Sequence, residues 1–347
     1  MTIGIALLGA GIFARTEHVP AIEACDLLEF KAVYSRSQKS ADALASSIES
    51  KPDSYFDDPA NTDKNLDALL ARDDIQAVVI ALPIPSQPAV IKKAITAGKH
   101  VLSEKPIAKD TATAKDLLNW YGSLSSPPIW AVGENWRFLQ TVVYAAEQLK
   151  EIGGDVVTFS FSMYKLVRDD DKYYNTEWRK IPEYQGGFLL DGGVHFVAGI
   201  RHFLAAVGQE IKHLSAHTAL IQAKLPPVDT VHGLLTTTSG RSGTFIVSFG
   251  SEFKSGFTIE LVTTNGAVRL TPGVVNVTRK AGDGERVEET KTFEFDSGVK
   301  AEVAAFAQSI NAGKVDARQT ASEALKDLEI LQALLESGED SGAIKSF

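Results

Sequence analysis

The chain has 347 residues, 44% hydrophobic and 23% charged, which is the composition of a soluble globular protein long enough for two domains. A formal net charge of −9 excludes nucleic acid or an anionic membrane as the main partner, though not a small anionic ligand in a locally basic pocket. The single cysteine, Cys25, excludes an internal disulfide and a Cys-rich metal site, and a reducing, cytoplasmic setting is expected.

Ile3–Leu8 is apolar but is interrupted at once by Gly9 and Gly11, so it does not read as a secretory signal. No apolar run approaches the roughly 18 residues of a membrane span. Ile3–Leu8 reads instead as a strand buried on both faces. Ile12–Cys25 comes next as a helix with a break expected at Pro20. Leu28–Tyr34 is a second strand, Ser40–Ile48 and Leu66–Ala71 are helices, and Ile75–Leu82 is a strand stopped by Pro83 and Pro85. Ser86–Ala97 is an amphipathic helix with Ser86 as its expected N-cap and Gly98 as its stop. The run Lys99–Glu104 is a buried strand ended by Glu104-Lys105-Pro106, because proline cannot continue the ladder. A helix over Thr111–Tyr121 and a strand over Ile129–Glu134 complete the first half. Strands alternating with helices through short connections call for a doubly wound parallel sheet, an α/β fold.

The first turn, Gly9-Ala10-Gly11-Ile12-Phe13-Ala14, lies after a strand and opens a helix, as in the dinucleotide fingerprint. Gly9 permits the tight turn, Gly11 lets backbone approach a pyrophosphate, and Ala14 is small enough for close helix–strand packing. The helix start, with Ile12 and Phe13, supplies amide donors to phosphate. The second strand ends Tyr34-Ser35-Arg36-Ser37, with no carboxylate for ribose hydroxyls. Arg36 is suited to a 2′-phosphate, and Ser35 and Ser37 can add hydroxyl donors, so NADP is expected over NAD. The end of the Ile75–Leu82 strand, Ala81, Leu82 and Pro83, is placed in the same cofactor set. Glu104 and Lys105 join it, since ligands bind at the carboxyl edge of such sheets.

After Glu134 the pattern changes. Trp136–Ile152 reads as a helix closed by Gly153-Gly154. Strands then dominate: Val156–Lys165, Ile211–Gln222, Thr230–Thr238, Gly243–Phe249, Gly256–Thr263, Ala267–Leu270 and Val274–Arg279. Asn265-Gly266 is a hairpin turn, and Gly240 and Gly282-Asp283-Gly284 mark others. Tight turns between successive strands imply antiparallel pairing. The expected fold is therefore an N-terminal Rossmann doubly wound parallel sheet over residues 1–134. An α+β domain with a mostly antiparallel open sheet is expected over 135–347, serving substrate and oligomer contacts. Val299–Ala312 and Thr320–Leu335 close it as helices.

Within this second half lies Gly186-Gly187-Phe188-Leu189-Leu190-Asp191-Gly192-Gly193-Val194-His195. Asp191–Val207 reads as a helix on which Asp191 and His195 share one face. Gly192 and Gly193 cost helix stability, roughly 1 kcal/mol each, which makes sense if something approaches closely. Read plainly, Asp191 is an N-cap and His195 a core histidine. No metal is expected: His195 and His202 lack a third ligand, and His213 and His217 read as surface residues of a strand. A Ser–His–Asp hydrolase is unsupported without a G-x-S-x-G elbow.

Taken in order, the fingerprint turn, Glu104-Lys105-Pro106 and Asp191-Gly192-Gly193-Val194-His195 resemble the Gfo/Idh/MocA oxidoreductases, the glucose–fructose oxidoreductase and inositol dehydrogenase family. Glu134-Asn135-Trp136-Arg137 and Trp178-Arg179 resemble a fungal and yeast branch of NADP-dependent members. The resemblance covers nearly the whole chain. It implies an active site in a cleft between the two domains. Lys105 would stand beside the nicotinamide and the reacting oxygen, Asp191 and His195 would be an acid–base pair, and Trp178 and Arg179 would reach over the cofactor. Asn135 joins the cofactor set, and Lys165 and Tyr184 are candidate substrate contacts with Lys105, Asp191 and His195. The expected activity is NADP-dependent oxidation of a CH–OH group, or the reverse, on a sugar, polyol or related carbonyl compound, by a homodimer. A non-catalytic NADP sensor and a sugar–sugar oxidoreductase with tightly held cofactor are the alternatives. Glu104 either orients Lys105 or simply ends its strand.

Overall fold

The computed structural model describes residues 2–60, 62–185, 187–282 and 284–347. Gly186 of the Gly186-Gly187 pair and Asp283 of the expected 282–284 turn lie outside the described residues. The chain divides into two units, Met1–Asn135 with Ser297–Lys326, and Trp136–Asp296 with Asp327–Phe347. A single division after 134 would leave 297–326 in the second unit. Instead Val299, Val303, Phe306 and Ala307, one apolar helix face, are buried among Ile5, Leu7 and Ile22 of the first.

The first unit alternates strands and helices: β1 (Ile3–Leu8), a π turn (Ala14–His18) running into α1 (Val19–Glu23), β2 (Leu28–Ser35), α2 (Gln38–Ser47), β3 (Asp53–Phe56), α3 (Leu66–Leu70), β4 (Ala77–Ile80), α4 (Gln87–Thr96), β5 (His100–Glu104), α5 (Thr111–Gly122) and β6 (Trp130–Gly133). The six strands form one parallel sheet in the order β3-β2-β1-β4-β5-β6. β1 is buried along its whole length, as its unbroken apolar run requires in a sheet covered on both faces. The order reverses at β1, whose neighbours are β2 and β4, and ligands bind at the carboxyl edge beside such a reversal.

Several local expectations are corrected. Pro20 does not break the helix; it lies in the first turn of α1, where its missing N–H costs no bond. The irregularity is the π turn before it. Ser86 does not cap α4: the chain is already turning through a 3-10 segment, Ile84–Ser86, and the hydroxyl makes no cap bond. Ser37, Asn65 and Asp110 do cap α2, α3 and α5. Gly98 ends α4 with φ +79°, the left-handed conformation that glycine tolerates.

The second unit begins at Trp136 inside a 3-10 turn, Asn135–Phe138, in place of the first helical turn expected there, and continues into α6 (Gln140–Ile152). The next elements are β7 (Val156–Tyr164), α7 (Glu177–Lys180), α8 (Gly187–Ala206), β8 (Ile211–Ala219), β9 (Thr230–Thr237), β10 (Ser242–Ser248), β11 (Gly256–Thr263), β12 (Gly266–Thr271), β13 (Val274–Lys280) and β14 (Arg286–Thr292). The chain closes with α9 (Val299–Ala312), α10 (Ala321–Glu339) and β15 (Lys345–Ser346). The sheet order is β14-β13-β12-β11-β7-β10-β9-β8-β15. Its pairs are antiparallel except β7 with β10, which run parallel. The α8 connection carries the chain away from β7, and the β8–β9–β10 meander returns to dock beside it in the same sense.

α6 packs on β12 and β13, and α8 on β7 and β11. Phe159, Phe161 and Met163 alternate inward along β7, and Phe161 stacks between Phe196 of α8 and Phe245 of β10. Buried Asp327 is held by both Arg137 and Arg201, so Arg137 anchors the start of this unit to α10. No helix is long and apolar enough to cross a membrane among the described residues.

Candidate active site

Gly9 adopts φ +128°, and a Cβ there would stand 2.2 Å from the Ala81 carbonyl oxygen. Its N–H donates to Tyr34 O at 2.8 Å, so β2 and β4 together demand glycine at this turn. Gly11 differs: a Cβ there would meet no atom within 4 Å. The protein's own packing does not explain that glycine, whereas close approach of a pyrophosphate does. The site residues therefore fit a dinucleotide. Arg15, which no sequence motif marks, fastens the turn to the start of α2, its Nε donating to Ala10 O at 3.0 Å and its Nη2 to Ser40 O at 3.2 Å.

At the end of β2, Ser35 is half-buried and Arg36 is exposed. Among the described residues Arg36 has no hydrogen bond or ion pair. Ser37 caps α2, its hydroxyl accepting from Ser40 N and donating to Ser40 Oγ. A carboxylate that the sequence pattern does not reveal lies alongside: Asp57 comes directly after Phe56, which pairs with Ser35. Its Oδ2 accepts the Tyr34 hydroxyl at 2.7 Å. Burial, and then this hydrogen bond, push the Tyr34 phenol well above its ordinary value.

Ala81, Leu82 and Pro83 are half-buried at the end of β4. Just beyond them Gln87 opens α4, buried, with neither amide atom hydrogen-bonded among the described residues. Its only trace in the sequence is a polar residue on an otherwise apolar helix face. At the end of β5, Glu104 and Lys105 are half-buried, and the Lys105–Pro106 peptide is cis. Glu104 Oε1 lies 2.6 Å from Nε2 of His18, a histidine with no solvent exposure that sequence reasoning also misses. Asn135, two residues past β6, spends its amide on Ser297 O at 2.6 Å.

In the second unit α8 begins at Gly187, so Asp191 is an interior position of the helix and not its N-cap. Asp191 is buried, and its Oδ2 accepts from Nε of Arg179 at 2.8 Å. The Arg179 guanidinium lies over the Trp178 ring at 3.9 Å. Burial, and then the charge of Asp191, hold the Tyr184 phenol far above its ordinary value. His195, half-buried one turn along, stacks on Trp136 with ring centroids 6.1 Å apart. The close approaches at Gly192 and Gly193 come from the protein itself: added Cβ atoms would stand 2.8 Å from Phe249 and 3.1 Å from Leu331. Lys165 is exposed and paired with Asp171 at 2.9 Å.

Residues 3–124 match the oxidoreductase family, NAD-binding Rossmann fold, and residues 147–345 match its C-terminal alpha/beta domain. Dehydrogenase FPY6 of Fusarium mangiferae is 51% identical over 343 residues, which cover 99% of this chain and 98% of that protein. D-xylose 1-dehydrogenase (NADP(+)) 2 of Haloferax volcanii is 27% identical, with 98% of each chain covered. Among solved structures, an oxidoreductase of Thermotoga maritima, TM0312, superposes with a TM-score of 0.85 at 27% identity, covering 100% of this chain and 98% of that one. With the fingerprint turn built for a dinucleotide and both family domains matched in order, the chain belongs to the Gfo/Idh/MocA oxidoreductases, a family of NAD(P)-dependent dehydrogenases and reductases.

Proposed function

We propose that this protein is an NADP-dependent oxidoreductase acting on a sugar, polyol or related carbonyl compound. One observation carries the reading. The fingerprint turn after β1 and Glu104-Lys105 after β5 share the carboxyl edge of one parallel sheet, with only β4 between their strands. A glycine turn that receives phosphates and a lysine able to face a reacting oxygen thus stand on the same edge.

In this reading Gly9, Gly11, Ile12 and Phe13 receive the pyrophosphate, and Ser35, Arg36 and Ser37 receive the adenosine 2′-phosphate. An exposed arginine without an ion-pair partner among the described residues, at a strand end that lacks a carboxylate of its own, supports NADP. The NADP named for the xylose dehydrogenase relative agrees with it. When bound, the nicotinamide accepts or gives a hydride. Lys105 stabilises negative charge growing on the substrate oxygen. His195 takes the proton in the oxidative direction and returns it in the reductive one. Asp191, held by Arg179, supplies a fixed negative charge one helical turn from His195. Trp178 and Arg179 cover the cofactor, and the protein works as a cytoplasmic homodimer.

The test is a screen of sugars and polyols, and their oxidised forms, with NADP(H) and NAD(H), monitored by nicotinamide absorbance. Turnover with at least one compound and a preference for NADP is expected. Failure to bind either dinucleotide in a fluorescence titration defeats the reading.

A further inference from the structure

His18 has no solvent exposure, and its imidazole edge-packs on Phe13 of the fingerprint turn, with centroids 5.4 Å apart. Its Nε2 is 2.6 Å from Glu104 Oε1, a short hydrogen bond between the two side chains. No other hydrogen bond of the Glu104 carboxylate is found among the described residues. With Glu104 as a carboxylate, Nε2 carries the proton and donates. Nδ1, on the other side of the ring, is buried with no hydrogen-bond partner among the described residues. A purely structural position would avoid that cost by carrying phenylalanine or leucine.

The backbone is unusual at the same place. His18 ends the π turn Ala14–His18, in which the Val19 N–H reaches back to Ala14 O. A π turn takes one residue more than an α turn, which rotates the remainder of the helix by roughly 100°. Such turns are uncommon and are frequently found at functional sites. Here the extra residue sets the register that brings His18 to Glu104, from the helix that opens at the fingerprint turn to the strand that ends at Lys105.

We infer that His18 is a positioning residue: it pins Glu104 at the end of β5 so that the carboxylate and the adjoining Lys105 stand in a single arrangement toward the nicotinamide half of the dinucleotide. The inference rests on the cofactor role proposed above for Glu104 and Lys105. It makes the first helix responsible for both halves of the ligand, phosphates at its start and nicotinamide one turn later.

Fluorescence titration with NADPH, together with competition by 2′,5′-ADP, which occupies only the adenosine half, separates this role from simple stability. His18→Ala is expected to weaken NADPH at least tenfold and leave 2′,5′-ADP within twofold. His18→Gln, whose amide nitrogen reaches the place of Nε2, restores NADPH to within threefold; His18→Asn, which is too short, does not. If His18→Ala fails to fold, the contrast between the Gln and Asn variants decides alone. The inference is overturned if NADPH and 2′,5′-ADP weaken together, if Gln and Asn behave alike, or if NADPH binding is unchanged. Wild-type protein that binds neither NADPH nor NADH overturns the proposed function instead; if the wild type prefers NADH, then NADH and 5′-ADP are the probes.

Discussion

Nε of Arg179 donates to Oδ2 of Asp191 at 2.8 Å, and the same guanidinium stacks on Trp178. The carboxylate is largely buried, so removing Arg179 takes away a cation that offsets its desolvation. Arg179→Ala is expected to cost about 3 kcal/mol, read as a drop in the thermal midpoint. Arg179→Lys does not restore it, because an ammonium cannot lie flat on indole while donating in a fixed direction. A lysine variant as stable as the wild type would show that charge alone matters.

Arg36 is tested through cofactor choice. Arg36→Ala is expected to weaken NADPH by about 1.5–3 kcal/mol, the range for a hydrogen bond to a charged group, and to leave NADH nearly unchanged. The ratio of the two dissociation constants is the measurement, and an unaltered ratio would remove the case for a 2′-phosphate at this strand end.

Lys105→Ala and His195→Ala are each expected to lower kcat by about 100-fold or more on a substrate found in the screen, the scale of acid–base and oxyanion contributions. Wild-type turnover by both variants would refute their assignment to the chemistry.

His100 links stability to pH. Its Nδ1 accepts the N–H of Ile129 at 2.9 Å, and burial holds the imidazole below its ordinary value. Between the unfolded value, about 6.5, and the lower folded one, the unfolded chain binds more protons. The stability is therefore complete above about pH 6.5 and is lost as pH falls toward the folded value, at up to about 1.4 kcal/mol per pH unit. His100→Asn keeps an acceptor near Nδ1 and removes the titration. Urea unfolding across the acid range is expected to give a flatter curve for the variant; parallel curves would mean that His100 is not the source.

Gly192→Ala sets helix propensity against packing. Alanine gains about 1 kcal/mol in a helix interior, but its Cβ would lie 2.8 Å from Cζ of Phe249. Overpacking a tight core costs about 1–3 kcal/mol, so net destabilisation is expected in denaturant unfolding. Adding Phe249→Leu should recover part of it.

Strongly patterned segments are legible in the sequence. β1, β2, α5, β7 and α9 carry unbroken apolar runs or clear periodicity, and their bounds lie within a residue or two of those expected. β3 is not legible, because Asp53–Phe56 offers only four residues after a proline. β14 is hidden because Arg-Val-Glu-Glu-Thr-Lys-Thr is charged along an edge strand, where a buried face is not required. The parallel β7–β10 pair escapes because turn chemistry speaks only for strands adjacent in sequence. At the site, the glycine turn and Glu104-Lys105 can be seen as motifs. His18, Gln87 and Asp57 cannot, since each owes its place to a partner distant in sequence or to an exceptional backbone turn.

The Tyr34–Asp57 hydrogen bond has a bearing on redesign. On the proposed NADP reading, selection against NAD needs no loss of acidity at the end of β2: the chain keeps an acid, Asp57, and occupies it with Tyr34. Exchanging Arg36 alone would abolish an attraction without creating an acceptor for a diol. Exchanging Tyr34 for phenylalanine as well would release the Asp57 carboxylate, already tethered one strand over by the pairing of Ser35 with Phe56. On the proposed reading, altered cofactor preference in this scaffold is a matter of unmasking a latent side chain rather than importing a new one.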